Sequence, residues 1–392
     1  MKVLQVFDLF SLPRGGGTVA VLYKLSHVLA KRGHEVVIYT SDSKIDRPFI
    51  NSLPEVRVYP FHCWSSLAGF YFMPGMVSEV RRKLRDFNIV HLHCFRSFQN
   101  MVVHHYARKY GIPYVVDAHG SFPRRTGGQK GVKPLFKWFF DLFWGNGILR
   151  DASKVIAETE AGVSEYRQMG VGEDKIIVIT PPFAIEEFAQ LPSPGLFREK
   201  YNIKERHIVM FLGRIHWIKG LDFLVESFAE LSKARDDTIL AVVGNDDGYK
   251  STLERLIERL KLSDKVLFTG FLGGLDKLTA LVDADVVVQT SIYEQGTGVP
   301  FEAVLCGTPI IVSRNTSASE NVRRIDGGYL VEYGNKKELR DALQYVLDHP
   351  AEARSKAQKA REYIKANLSM DKGVEKYERL YAECIATKKT VG

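Results

Sequence analysis

A chain of 392 residues, 45% hydrophobic and 26% charged, is long for one core and comfortable for two, so two domains are expected. Four scattered cysteines (Cys63, Cys94, Cys306, Cys384) form no CxxC pair, and no His cluster stands at metal spacing. That argues against a disulfide framework or a structural zinc and fits a reducing compartment. The net charge of +8 is uneven: residues 1–192 carry 24 Lys and Arg against 17 Asp and Glu, the remainder 30 against 29. A basic first half suits an anionic partner, a membrane surface or a phosphorylated acceptor, as well as it suits a solvated basic face.

No run approaches the roughly 18 apolar residues of a membrane span. Met1–Phe7 reaches Asp8 after too short an apolar stretch for a signal peptide and reads as a buried first strand. A cytosolic or peripheral chain is expected. In chain order, the strand-like runs of the first half are Lys2–Phe7, Glu35–Thr40, Ile89–His93, Tyr114–Ala118 and Ser153–Ala157, with helical stretches at Thr18–Lys31, Met76–Phe87 and Gln99–Tyr110. A last strand near Ile176–Ile179 runs into Pro181, Pro182, Pro192 and Pro194, the clearest domain boundary. The pattern restarts with strands at His207–Phe211, Thr238–Val243, Val266–Phe268, Asp285–Gln289, Pro309–Ser313 and Tyr329–Val331. Alternating strands and helices predict an α/β fold of two tandem doubly wound domains facing across a cleft. The expected division is 1–184 and 185–370, with a closing helix, 371–392, crossing back to the first domain.

Two constellations carry chemistry. Glu294 and Glu302 stand eight residues apart, one on a loop after a strand and one in the first turn of a helix. Gly296 and Gly298 between them let backbone approach a ligand, and the helix start offers unpaired N–H groups to a phosphate. A carboxylate there can accept two ribose hydroxyls, although helix-capping acids give the same pattern. Phe211-Leu-Gly213-Arg214 ends the first strand of the second half, and Lys219-Gly220 opens the next helix. Two cations at the carboxyl end of a strand suit a pyrophosphate and can neutralise charge on a departing diphosphate. Arg124 to Ile148 interleaves Arg124, Arg125, Lys130, Lys133 and Lys137 with Phe136, Trp138, Phe139, Phe140, Phe143 and Trp144. Such a stretch suits a membrane interface, or a helix packed on the first sheet.

Gly213-Arg214 with Lys219-Gly220, followed by Glu294-x7-Glu302, resembles the donor site of family-4 retaining glycosyltransferases of the GT-B fold. Arg14-Gly-Gly-Gly17, His91-Leu-His93, Asp117-Ala-His119-Gly120, Val243-Gly-Asn-Asp-Asp-Gly-Tyr249 and Phe268-Thr-Gly-Phe271-Leu-Gly273 fall in the expected order, so the resemblance covers the whole chain. It implies a Rossmann-like N-terminal domain for the acceptor and a Rossmann-like C-terminal domain for a nucleotide-sugar, UDP- or GDP-linked. Arg214 and Lys219 would bind the diphosphate and stabilise it as leaving group. Glu302 would hold the ribose, Glu294 would lie beside the reacting carbon, Phe271 and Leu272 would receive the base, and Gly298 and Val299 would offer amides to the phosphates. In the first domain Gly16 and Gly17 would approach the diphosphate or acceptor, and His119 would sit over the sugar. No metal or other cofactor is implied, and Asp246 and Asp247 read as loop residues. The sequence departs from the family at Pro181-Pro-Phe183, where an Asn-Gly turn is usual, and at Met370-Asp-Lys-Gly, where an aromatic is usual.

The expectation is hexosyl transfer with retention to a glycan or lipid-linked saccharide, with peripheral contact to an anionic membrane at the inner face of the cell membrane and no nucleic-acid partner. A sugar-nucleotide epimerase of the same architecture and a non-enzymatic basic binding protein are the alternatives. Gly15-Gly-Gly17 is no GxGxxG fingerprint, which disfavours a dehydrogenase.

Overall fold

The computed structural model describes residues 1–67, 69–122, 133–294, 296 and 298–391. The chain forms two compact units, one of residues 1–183 with 368–392 and one of residues 184–367.

The first unit is built on strands β1 (Lys2–Val6), β2 (Glu35–Ser41), β3 (Arg57–Phe61), β6 (Ile89–His93), β7 (Tyr114–Asp117), β8 (Lys154–Ala157) and β9 (Ile176–Val178), beside a short antiparallel hairpin of β4 (Ser65–Leu67) and β5 (Phe70–Phe72). The seven strands pair in the order β3-β2-β1-β6-β7-β8-β9, all parallel. Val3, Leu4, Val6, Ile89, Val90, Leu92, Val115 and Val116 are fully buried, as strands covered on both faces require. The second unit carries β10 (His207–Leu212), β11 (Thr238–Val243), β12 (Val266–Gly270), β13 (Val286–Gln289), β14 (Ile310–Ser313) and β15 (Tyr329–Val331), in the parallel order β12-β11-β10-β13-β14-β15. In each sheet the direction of winding reverses once, between β1 and β6 and between β10 and β13. Loops leaving the carboxyl ends of strands at such a point diverge and leave a crevice for a ligand.

Strand β3 and the hairpin were not expected from the sequence. β3 lies at the sheet edge with Pro60 inside it, a residue that cannot donate to a ladder on both sides. The first helix begins at Leu12 rather than Thr18, but Gly16 breaks it at φ +57°, a conformation that favours glycine. The helix Met370–Val391 packs on the first unit: Arg32 makes a two-pronged contact with Glu378 at 3.0 and 2.9 Å, and His34 meets the same carboxylate at 2.8 Å.

The aromatic stretch resolves into three pieces, a helix Lys133–Phe140, a π-helical turn Asp141–Gly145 and a helix Asn146–Asp151. Phe140, Ile148 and Leu149 are buried in the core, whereas Leu135, Phe136, Trp138, Phe139, Leu142, Phe143 and Trp144 stay 43–66% exposed. The aromatic residues therefore divide between core and surface. Arg124, Arg125 and Lys130 lie outside the described residues.

Candidate active site

In the second unit the predicted donor residues gather at the carboxyl edge of the sheet. β10 ends at Leu212, and Gly213 at φ +153° leads to Arg214. Gly244, at the end of β11, lies so close that a Cβ there would stand 1.8 Å from the Gly213 carbonyl oxygen, so the two loops touch through bare backbone. The Asp247 N–H donates to the Ile215 carbonyl at 3.0 Å, and the Asp247 carboxylate pairs with the Arg214 guanidinium. Asp246 instead caps the entry to the helix Lys250–Arg259, accepting from the N–H groups of Gly248, Tyr249 and Lys250 at 2.9–3.1 Å. Those backbone donors hold its carboxyl below the usual range, that of Lys250 first.

A short 3-10 turn, Trp217–Lys219, ends at Gly220, whose φ of +62° lets the helix Leu221–Leu231 start immediately. A Cβ on Gly220 would lie 2.1 Å from the Thr290 carbonyl oxygen. Thr290, just past β13, clamps the turn by donating to the carbonyls of Lys219 and Gly220 at 3.1 and 2.9 Å. Lys219 is thereby held over the loop after β13, where its ammonium pairs with Glu294. Gln289 Nε2 at 3.0 Å and Ser291 Oγ at 3.1 Å donate to the same oxygen, Oε2, leaving Oε1 outside this set. The pair is partly buried, with side chains 16% and 14% exposed. It spans the reversal between β10 and β13.

Gly298 opens the helix Gly298–Leu305, and Val299 follows in its first turn. Glu302 on that helix is gripped through Oε1 by Lys277 Nζ at 2.8 Å, from the helix Gly274–Asp283. Phe271 and Leu272 follow β12; the Phe271 ring is exposed and Leu272 is buried. Sequence reasoning assigned the two glutamates and the two cations but missed Lys277, Asp247, Gln289 and Ser291, which hold them.

In the first unit Gly16 and Gly17 lie on the segment that leaves β1. His119 follows β7 in a turn with φ +44°, continued by Gly120 at +74°. Its side chain is only 4% exposed. Nδ1 meets Glu158 Oε1 at 2.8 Å and Asp117 Oδ1 at 3.4 Å, and Nε2 meets His93 Nδ1 at 2.9 Å. Burial alone would lower the His119 pKa, but the charge of Asp117 and the hydrogen bond to Glu158 outweigh it and hold it raised. Burial pushes the Asp117 carboxyl up to about 7, opposed by His119 and assisted by Glu158. Among the described residues, Asp117, His119 and Glu158 are the one group of such side chains whose ligand-type atoms lie within 4.8 Å of each other. Their contacts are those of a hydrogen-bonded ion cluster.

Residues 195–366 match the family described as Glycosyl transferases group 1, and residues 15–187 match Glycosyltransferase Family 4. The N-acetyl-alpha-D-glucosaminyl L-malate synthase of Bacillus anthracis is 24% identical over 384 residues, 96% of either chain. The D-inositol 3-phosphate glycosyltransferase of Kineococcus radiotolerans is 25% identical over 377 residues, 86% of this chain and 83% of that one. The crystal structure of Anabaena HepE in complex with UDP and glucose superimposes with a TM-score of 0.81 at 20% identity, covering 98% of this chain and all of the other. A likeness at that identity establishes the fold, and the two family matches together account for most of the sequence. With the paired cations and carboxylates set at the reversal of the second sheet, the chain belongs to the family-4-type glycosyltransferases of the GT-B fold.

Proposed function

We propose that the second unit binds a nucleotide-sugar at the β10/β13 reversal and that the enzyme transfers the hexosyl group, with retention and without a metal ion, to a glycan or lipid-linked saccharide held by the first unit. The observation that carries this reading is the Lys219–Glu294 pair, fixed by Gln289, Ser291 and the Thr290 clamp beside the start of the helix Gly298–Leu305. An arriving diphosphate competes with Glu294 for Lys219 and with Asp247 for Arg214. The two cations and the amides of Gly298 and Val299 then neutralise the charge that grows as the sugar–diphosphate bond breaks. Glu302, held at Oε1 by Lys277, turns Oε2 to the ribose hydroxyls, and the backbone at Phe271 and Leu272 borders the base. UDP is the first nucleotide to test, because HepE is described with UDP; GDP is the second. A sugar-nucleotide epimerase is disfavoured by matches that are to glycosyltransferases.

A screen of UDP- and GDP-sugars, read as nucleotide release with and without saccharide acceptors, tests the reading. The expected result is acceptor-dependent release with one donor, with the anomeric configuration preserved by NMR of the product. Activity is expected to survive excess chelator, since the neutralising charges belong to the protein. Loss in chelator, restored by magnesium or manganese, contradicts the metal-independent mechanism.

The enzyme is further proposed to sit at the inner face of the cell membrane, in the cytoplasm. No helix among the described residues is long and apolar enough to cross a membrane. The support is the exposed side chains Leu135, Phe136, Trp138, Phe139, Leu142, Phe143 and Trp144, on a unit whose sequence is basic. Exposed rings of this kind insert at an acyl boundary while cations attract anionic headgroups. Co-sedimentation with anionic vesicles at low salt is expected, falling roughly tenfold for Phe139→Ser with Phe143→Ser, in line with the apolar area withdrawn. Wild-type protein remaining in the supernatant at low salt rules this location out.

A further inference from the structure

A file of buried polar side chains crosses the first unit from the closing helix to the loop after β7. The Tyr381 hydroxyl meets His91 Nδ1 at 2.8 Å and Gln5 Nε2 at 3.5 Å. Gln5 Oε1 lies 2.6 Å from His93 Nε2, and His93 Nδ1 lies 2.9 Å from His119 Nε2. Glu158 closes the file at His119 Nδ1, 2.8 Å away. Strand pairing accounts for the line: Gln5 stands opposite His91, and His93 opposite Asp117, so all four share one face of the sheet. Gln5, His91, His93 and Tyr381 are fully or almost fully buried, so each contact is made without competing water.

The donors and acceptors run in one direction. Gln5 presents its amide N–H to Tyr381, so its oxygen faces His93, and an amide oxygen only accepts. His93 must then carry its proton on Nε2. Burial, followed by the neighbouring His91 and His119, pushes the His93 pKa well below 6.5, so the ring is neutral and its Nδ1 is a bare acceptor. His119 Nε2 must therefore donate. The other nitrogen of His119 faces a carboxylate, which also accepts. Both nitrogens of His119 carry protons.

We infer that His119 is a standing imidazolium, and that Glu158, His93, Gln5 and Tyr381 are positioning residues that keep it so for the transferase reaction. This inference rests on the proposed function for its catalytic half only. With both N–H groups committed and the ring buried, His119 cannot take the proton of an acceptor hydroxyl. It supplies a fixed positive charge at the carboxyl edge of the first sheet, favourable to anionic substrate groups nearby. The closing helix sets that charge through one hydroxyl, that of Tyr381. If the hydroxyl is removed, Gln5 is free to turn its amide over and donate to His93 Nε2. The His93 proton then moves to Nδ1, the direction of the file inverts, and His119 becomes neutral.

Among the described residues, nine ionisable groups surround His119 and its partners. They are Asp117 from β7, Glu158 after β8, His91 and His93 from β6, Cys94 after it, Asp8 after β1, Tyr166 from the helix Glu160–Gln168, and Tyr377 and Tyr381 from the closing helix. Burial pushes the Cys94 thiol and the three phenols up, so they stay neutral, and pushes His91 down. Burial raises Asp8 to about 6 and Asp117 to about 7, while Asp117 and Glu158 hold His119 above its ordinary value. A raised His119 pKa keeps the charge up to a higher pH, and the charge is lost as pH rises through that value.

The test uses the full chain labelled with nitrogen-15 in its histidines. At pH 7 one ring, missing in His119→Asn, is expected to show two protonated nitrogens, and His93 is expected to be neutral with its proton on Nε2. Tyr381→Phe and Glu158→Gln are expected to lower the pH at which the charged ring titrates by roughly one unit. The alkaline limb of kcat should move down by the same amount, giving roughly tenfold lower kcat on that limb with donor KM unchanged. Tyr381→Phe is the conservative arm should Glu158→Gln fold poorly. A His119 that titrates at or below 6.5 in the wild type overturns the charge assignment. An unmoved alkaline limb in Tyr381→Phe overturns the positioning role. A charged His119 in a protein that transfers no sugar overturns the transferase reading and leaves the charge assignment standing.

Discussion

Lys219→Ala is expected to lower the transfer rate by roughly 10²–10³, equivalent to about 2.7–4 kcal/mol of transition-state stabilisation. The Lys219 backbone is set by the Thr290 clamp, and its ammonium, once a diphosphate has displaced Glu294, acts in the step in which charge develops. Stability should fall by much less. Glu294 keeps its hydrogen bonds from Gln289 and Ser291 when the lysine is gone, and the pair retains partial access to water. Arg214→Ala should have the smaller effect, since the Arg214–Asp247 pair is about half exposed and screened by solvent. Single-turnover rates beside urea unfolding of each variant separate the two quantities. Wild-type turnover in Lys219→Ala sinks the diphosphate assignment.

The largest effect on stability is expected at Arg96. Its guanidinium is 5% exposed and grips Asp141, itself 1% exposed, through Nε at 2.7 Å and Nη2 at 2.9 Å. It also donates to the carbonyls of Ser121 at 2.6 Å and Phe122 at 3.0 Å. One side chain thus ties the π-helical turn to Ser121 and Phe122, just after His119. Arg96→Met takes the guanidinium from a buried carboxylate and from two partly buried carbonyls, and breaking such a pair from one side costs about 3–5 kcal/mol. Adding Asp141→Leu should recover most of the loss, because two apolar side chains leave no orphaned charge. Urea midpoints at constant slope measure both. A loss below about 1 kcal/mol for the single variant would mean that water reaches Asp141.

Much of the architecture was legible because parallel strands covered on both faces must be runs of Val, Ile and Leu, and His207–Leu212 and Thr238–Val243 are such runs. β3 was not, because an edge strand with Pro60 and mostly exposed side chains carries neither alternation nor a buried run. The donor residues could be read because glycines beside Arg214, Lys219 and Glu294 mark strand ends where backbone must turn sharply. Their partners could not. Lys219 and Glu294 are 75 residues apart and Lys277 and Glu302 are 25 apart, and only the strand order brings them together. The histidine file left a trace: His-Leu-His in β6 served only as part of the family pattern, and Gln5 within a run of buried residues was not singled out. Buried polar groups require partners, so such a pattern announces a network without naming its members.

The closing helix also dictates an order of assembly on the ribosome. The second unit is one uninterrupted segment, 184–367, and is complete in sequence once that stretch has left the exit tunnel. The first unit, although its larger part is synthesised earlier, lacks Tyr377, Tyr381 and the Glu378 contact with Arg32 until the helix Met370–Val391 has followed. Without that helix, Gln5 and His91 lack the cover that Tyr377 and Tyr381 give them in the folded unit. The half of the protein made first is therefore the half finished last, and a nascent chain stalled before residue 370 holds a complete second unit beside an unfinished first.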